Sequence, residues 1–440
     1  MKTYLKVMSL FFAAILLAGL FAGCQGKKAP AAPAQTGGKP SGTVKVLMGA
    51  SNQATQTIAL LKTEFKEMYP DITVEVDLMG STEIHAKYLT EFASGNSEYD
   101  IVNSRHMYKN QLALSKFIVD ITPYLDKSTV ISRDTYKSSF SKFNVQIDGR
   151  WWGLPWRSDA KLFMYNDDLY KQAGIAGPPK TYDELIKVSN KIMAETGKYG
   201  IVIPADGRWI LQAFTDYITT VDDMAFFNAK MEPVFNHPDK VKAIEVFKEL
   251  YKVAPKGAVT YDHSMAVTSF IQGEAAQLPM WPFAFSESLD PTKSSIVGKV
   301  VIAPAMPAVN QQCVVLTGWN MVMTSFSKNK DAAWLVMEYM SSPKTERQVI
   351  LNGGDTCPVC VDSGNDAEVV KAFPIVKGIL DAMDSEKFYA DYDIPEWAAC
   401  ALIIQDYLAK AVSGEMNSQA AMDAAAKDVR QVLADAGYYK

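Results

Sequence analysis

The sequence predicts an α/β protein of two lobes, each a sheet flanked by helices. Two observations carry that expectation. Short strands of β-favouring residues alternate with amphipathic helices from Val44 onward, a pattern that buries a sheet beneath helices. Once an N-terminal targeting stretch and a tether are set aside, enough chain remains for two separate cores.

The targeting stretch comes first. Lys2 and Lys6 precede an apolar run, residues 10–22, that is too short to span a bilayer comfortably. It ends Leu20-Phe21-Ala22-Gly23-Cys24, small residues directly before a cysteine. Residues 1–23 therefore read as a lipoprotein signal peptide, cleaved before Cys24, whose sulfur takes a palmitate-type lipid. An ordinary secretory signal with a chance cysteine is the competing reading. Several acyl chains on one residue give a stable anchor, where one would be marginal. Residues 24–42 then form the lipidated cysteine and a flexible tether of Ala, Pro, Gly and Lys, without bulky apolar side chains to bury.

The folded body begins near Thr43. Residues 44–48 read as a strand. Ile58, Leu61, Phe65 and Met68 recur at helical spacing, and Pro70 stops that helix. Ile72, Val74 and Val76 alternate as a second strand, a helix follows over 82–93, and 100–102 make a third strand. Further on, 162–165 read as a strand and 167–173 as a short helix ending at Gly174, a residue suited to positive φ. Pro178 and Pro179 interrupt the chain, and Thr181 with Glu184 forms a capping box for the next helix. Two long helices, near 402–412 and 420–433, close the chain.

Several of these segments together resemble the bacterial extracellular solute-binding proteins of the sugar type, maltose-binding-protein-like lipoproteins of ATP-driven importers. Gly149 to Pro155 is similar to the family's G-x-x-x-G-L-P run. Tyr165 to Leu169 is similar to Y-N-x-D-L, and Pro178 to Leu185 to P-P-K-T-Y-D-E-L. Later, Phe270 to Ala276 resembles F-x-x-G-x-A-A, followed by Trp281. Thr317-Gly318-Trp319 resembles a glycine–tryptophan strand start, and Gly353-Gly354 to Pro358 a Gly…Pro loop. The resemblance implies a type II periplasmic-binding-protein-like fold whose chain crosses between lobes more than once at a hinge. Lobe one would be 43–158 plus 312–357, and lobe two 159–311 plus 358–440.

The resemblance also implies a function: capture of a sugar or oligosaccharide between two lobes and its delivery to a membrane permease. The implied protein is an extracytoplasmic monomer, lipid-anchored on the outer face of the bacterial membrane, with permease subunits as partners, no cofactor and no chemistry of its own. The rivals are the same fold binding a non-sugar solute such as a polyamine or metal, a ligand-sensing module for a membrane receptor, and a secreted sugar-acting enzyme. No Gly-x-Ser-x-Gly elbow, Walker-A run or His-Glu-x-x-His occurs. The net charge of −5 argues against nucleic acid.

A sugar shows C–H faces that stack on aromatic rings and hydroxyls that suit bidentate polar groups. Among the 8 tryptophans, Trp156, Trp281 and Trp319 sit at motif positions that line the cleft in the family. Trp209 and Phe283 are further stacking candidates, whereas Trp334 reads as core. Arg157 and Asp159 follow the Gly-Leu-Pro turn, and Asp159 stands where the resemblance implies a sugar-binding carboxylate. Arg105 follows a strand's carboxyl end, where open α/β sheets bind ligands. Asp355 lies in the Gly…Pro loop, and Ser51, Asn52 and Gln53 follow the first strand. For each charge the plain alternative is a solvated or structural role. Cys357-Pro358-Val359-Cys360 is open to three readings: a redox pair, half a metal site, or a local disulfide or inert thiols.

Overall fold

The computed structural model describes residues 39–439, except 81–82, 355–356, 377–378, 381–387, 390–391 and 393. Cys24 and Asp355 lie outside the described residues. The strands are β1 (Gly42–Gly49), β2 (Ile72–Met79), β3 (Ile101–Arg105), β4 (Gln146–Ile147), β5 (Arg150–Trp151), β6 (Leu154–Ala160), β7 (Leu162–Asn166), β8 (Gln277–Met280), β9 (Val300–Ile302), β10 (Val314–Met323) and β11 (Phe388–Tyr389).

One mixed sheet runs β11–β10–β3–β1–β2, with β6 also paired to β10. β1 is parallel to both β2 and β3, while β10 is antiparallel to β3 and β6. Alternation along β1 sends Val44, Val46 and Met48 into one core and Leu47 into another on the opposite face. Both faces are covered, as a sheet with parallel strands requires. Helix Glu83–Ala93 supplies Tyr88 and Phe92 to the second of these cores. Trp334, on helix Lys330–Met340, is in the first and stacks on Tyr124, centroids 5.5 Å apart. The helix expected up to Met68 runs from Asn52, with a π turn over Leu61–Phe65.

A second sheet, β8–β7–β9, is antiparallel. Phe163 faces a core built with helices Arg208–Ile218, Pro238–Tyr251, Trp397–Val412 and Ser418–Asp435. Met164, Leu278 and Met280 face the other way, toward Phe270, Trp209 and Trp281. Thr181 caps helix Tyr182–Thr196 by accepting the Glu184 N–H at 3.2 Å. The returning bond differs from a strict capping box: the Glu184 carboxylate takes the Lys180 N–H at 2.7 Å.

The chain passes between the sheets at one residue. Ala160 ends β6 opposite Leu316, the Lys161 N–H donates to the Val315 carbonyl at 2.9 Å, and Leu162 opens β7. Two strands thus cross side by side. A later passage departs from the expected division, which gave 358–440 to lobe two. Val359, Cys360, Val369, Phe373, Val376, Ile379 and Leu380 belong to the first core. The reason is a buried carboxylate. Glu346, on helix Pro343–Leu351, accepts the backbone N–H groups of Val359 at 2.7 Å and Cys360 at 3.1 Å, and the Ser363 hydroxyl. Cys357 and Cys360 are both buried in this segment, and burial pushes the Cys360 thiol well up, with the Glu346 charge adding to it.

Burial likewise lifts Glu346 to about 7 from an ordinary value near 4.5, its hydrogen bonds pulling against the shift. Between those values the folded state holds a proton that the unfolded chain has lost. Stability from this group is therefore complete below about 4.5 and falls as pH rises to about 7. Denaturant melts across that window should show the parent losing stability with pH relative to Glu346→Gln. Parallel profiles for the two proteins would rule this out.

Candidate functional site

The register of β10 builds the site. Trp319 lies directly opposite Arg105 of β3 on one side and Arg157 of β6 on the other. Directly opposed residues of antiparallel strands project from the same face, so Arg105, Trp319 and Arg157 form a row. Two positions along, Thr317 is opposite Asp159, a second row on that face. Gly318 between them is forced by packing: a Cβ there would overlap the side chains of Asn144 and Phe140.

These rows form one wall of a cavity of about 790 Å³. The carboxyl ends of β1 and β3 contribute as well, through Gly49, Ala50, Ser51, Asn52 and Asn103. Ser51 caps helix Asn52–Leu60, accepting the Ala54 N–H at 3.1 Å, and the Gln53 side chain donates to the Trp156 carbonyl at 2.9 Å. The opposite wall comes from the second sheet's side. Trp209 and Gln212 share helix Arg208–Ile218, His263 and Thr268 share helix His263–Ile271, and Trp281, Phe283, Glu287 and Lys293 follow β8. Of the twelve candidates named in the sequence, ten surround one cavity: Ser51, Asn52, Arg105, Trp156, Arg157, Asp159, Trp209, Trp281, Phe283 and Trp319, while Gln53 is not among its lining. Asp355 lies outside the described residues.

The tryptophans are not equivalent. Trp156, Trp209 and Trp281 are only 4%, 9% and 8% exposed and are packed into cores. Trp319 is half-buried, backed by His85 with ring planes 16° apart and centroids at 5.7 Å. Trp281 is held by its Nε1–H to Gln212 Oε1 at 3.2 Å and by the Lys161 ammonium 5.0 Å from its ring centroid. Lys161 also pairs with Asp216 at 3.3 Å, both nearly fully buried. Burial pushes the Asp216 carboxyl up while the Lys161 charge pulls it down. Removing one partner of such a pair costs about 3–5 kcal/mol, because the other charge stays buried alone.

On the first wall, Arg157 reaches Asp159 Oδ1 through Nε at 3.1 Å and Nη2 at 3.0 Å. Arg105 donates from Nη2 to Thr317 Oγ1 at 3.2 Å, with its guanidinium carbon 5.6 Å from the Trp319 ring centroid. Next to it, burial pushes buried His106 down to about 3, the Arg105 charge adding to the effect. Gln212, His263, Thr268, Asn103, Glu287 and Lys293 were not anticipated. Gln212 was within reach, since it lies one helical turn beyond Trp209 on the same face.

A mixed sheet and an antiparallel one, crossed by paired strands and facing each other across a polar, tryptophan-lined cavity, define a two-lobed type II binding protein. The chain belongs to the bacterial extracellular solute-binding protein family, whose model matches residues 50–347. A probable amino-acid ABC transporter periplasmic-binding protein of Sinorhizobium fredii is 28% identical over 401 residues, 89% of this chain and 90% of that one. The erythritol/L-threitol-binding protein of Mycolicibacterium smegmatis is 24% identical over 73% of this chain and 71% of its own length. Among solved structures, maltose-bound MalE3 of T. maritima superposes with a TM-score of 0.80 at 25% identity, covering 89% of this chain and 99% of that one. A ribitol complex from Agrobacterium radiobacter superposes at 0.79 with 23% identity, covering 90% of this chain and 100% of that one.

Because Trp319 is half-buried and Trp334 is core, their truncations should separate. Trp319→Ala should weaken solute binding by roughly tenfold, from lost stacking and lost contact area, with little change in unliganded melting. Trp334→Ala should leave affinity near the parent's and cost about 3–5 kcal/mol of stability through its cavity. Calorimetric titration and melting of both variants check this, and a Trp319→Ala protein that binds normally but melts early would reverse the assignment.

Proposed function

We propose that this protein is the capture component of an ATP-binding-cassette importer for a sugar, its oligomers or a reduced sugar. The observation that carries the reading is the two-row wall: an aromatic face, Trp319, bordered by the Arg157–Asp159 pair and Thr317. A ring for C–H faces beside fixed donors and acceptors is the chemistry a polyhydroxylated solute needs. The ligands named for relatives agree: erythritol or L-threitol, mannitol, ribitol and maltose. Binding to one wall draws the other in, and the hinge at Lys161 and Val315 allows the closed form to gain population by differential affinity. The closed form then docks on permease subunits. The protein performs capture without turnover.

Thermal shift against mono- and oligosaccharides, sugar alcohols and amino acids tests the reading. A ligand confined to the native state adds about 2.7 kcal/mol at a hundred times its dissociation constant. The expected outcome is stabilisation by a carbohydrate or sugar alcohol. Stabilisation by amino acids alone would favour the reading suggested by the Sinorhizobium relative's name, and steady release of reducing sugar from a bound oligosaccharide would favour an enzyme.

We further propose attachment through lipid on Cys24, supported by the small-residue run before it and the tether after it. Cys24→Ala should abolish incorporation of labelled fatty acid and release the protein from membranes in fractionated cells. Undiminished labelling would overturn the anchor.

A further inference from the structure

We infer that the captured solute carries a carboxylate, as a uronate or aldonate does, and that Arg105 selects it. The inference rests on the sugar reading above and narrows its substrate class.

Among the described residues, the charged side chains lining the cavity are Arg105, Arg157, Lys293, Asp159 and Glu287. Arg157 is paired with Asp159 at 3.0 Å, and Lys293 with Glu287 at 3.4 Å. Arg105 is left over. Among the described residues it joins no carboxylate; its one hydrogen bond goes to the Thr317 hydroxyl, and its Nε is buried without a partner. The neighbouring His106 is buried and neutral near pH 7, so it adds no second cation. Behind Trp281, Lys161 and Asp216 cancel each other. Among the described residues, the two-row wall thus carries one guanidinium with no carboxylate partner, bordering the ring on which a sugar would stack.

An ion in that position is costly when a second wall closes over it, because water is withdrawn and nothing replaces it. The Trp319 ring returns part of that cost through its quadrupole. A ligand carboxylate returns more, since guanidinium and carboxylate match as two parallel charged hydrogen bonds. The start of helix Asn52–Leu60, whose Ser51 and Asn52 line the same cavity, adds partial positive charge and points the same way. A neutral sugar can give Arg105 two hydroxyl acceptors but no charge. The arrangement therefore discriminates by charge as well as by shape.

The test compares acids with neutral partners of the same skeleton. Isothermal titrations use D-glucuronate, D-galacturonate and D-gluconate against D-glucose, D-galactose and sorbitol, with the methyl esters of the two uronates as uncharged isosteres. Di- and trigalacturonate cover longer ligands. At least one acid should bind roughly tenfold to a hundredfold tighter than its neutral partner or ester. Arg105→Gln should remove most of that preference, the acids losing roughly tenfold more affinity than their neutral partners lose. Arg105→Lys should keep part of it. Equal or tighter binding of every neutral member, or an equal loss for acids and neutrals in Arg105→Gln, overturns the inference and leaves the sugar reading standing. Should Arg105→Gln fail to fold, the acid-against-ester comparison on the parent protein decides the matter alone. If no carbohydrate, acidic or neutral, stabilises the protein, the sugar reading falls and this inference falls with it.

Discussion

The first wall of the cavity depends on how β10 pairs with its two antiparallel neighbours. Because β3 and β6 flank it in fixed register, three residues far apart in sequence, Arg105, Arg157 and Trp319, are set side by side by backbone hydrogen bonds. Slipping either pairing by one residue would turn its side chains to the opposite face and dissolve the wall. The irregularity between Trp319 and Asn320 falls just beyond the row. Asn103 and Asn320 reinforce the pairing: the Asn103 amide donates to the Asn320 carbonyl at 3.0 Å, and the Asn320 amide to the Asn144 carbonyl at 2.9 Å. The two-row wall is placed by the sheet, and the facing wall by helices Arg208–Ile218 and His263–Ile271 and the segment after β8.

The passage between lobes is governed by similar economy. β6 and β10 run together to the crossing, and the Lys161 backbone bonds Val315 just where one sheet gives way to the other. The Lys161 side chain then reaches the second lobe, pairing with Asp216 beneath Trp281. One residue thus fixes the crossing through its backbone and supports the far wall of the cavity through its side chain. That links the geometry of the hinge to the seating of an aromatic ring on the other side.

Much of the fold was legible because its signals are local. Alternation in Ile72, Val74 and Val76, the glycine stop at Gly174 and the Thr181 cap each report on a few neighbouring residues, and the corresponding elements form. Trp156, Asp159, Trp281 and Trp319 were found at or beside segments that resemble the family, and Arg105 from its place at a strand's carboxyl end; all of them line the cavity. Less legible were features decided at long range. The assignment of 359–380 to the first core depends on Glu346 being buried and satisfied by Val359 and Cys360, which no periodicity announces. His263 looked isolated in the sequence; it lies 4.7 Å from Trp209 between ring centroids only once two helices meet. The difference between half-buried Trp319 and packed Trp281 is likewise a property of packing.

That difference bears on how such a protein can change what it carries. Trp156, Trp209 and Trp281 face the cavity from within the cores, so altering any of them to suit a new solute also opens a void in the protein's interior. Positions outside the cores, such as Asn52, Arg105 and Trp319 on the first-sheet side and Gln212, Thr268 and Lys293 on the second, can change without opening such a void. Each wall thus joins core tryptophans, Trp156 on one side and Trp209 and Trp281 on the other, to residues outside the core. Divergence among descendants of this chain should therefore follow burial, with the less buried positions of both walls exploring new ligands while the core tryptophans stay nearly fixed.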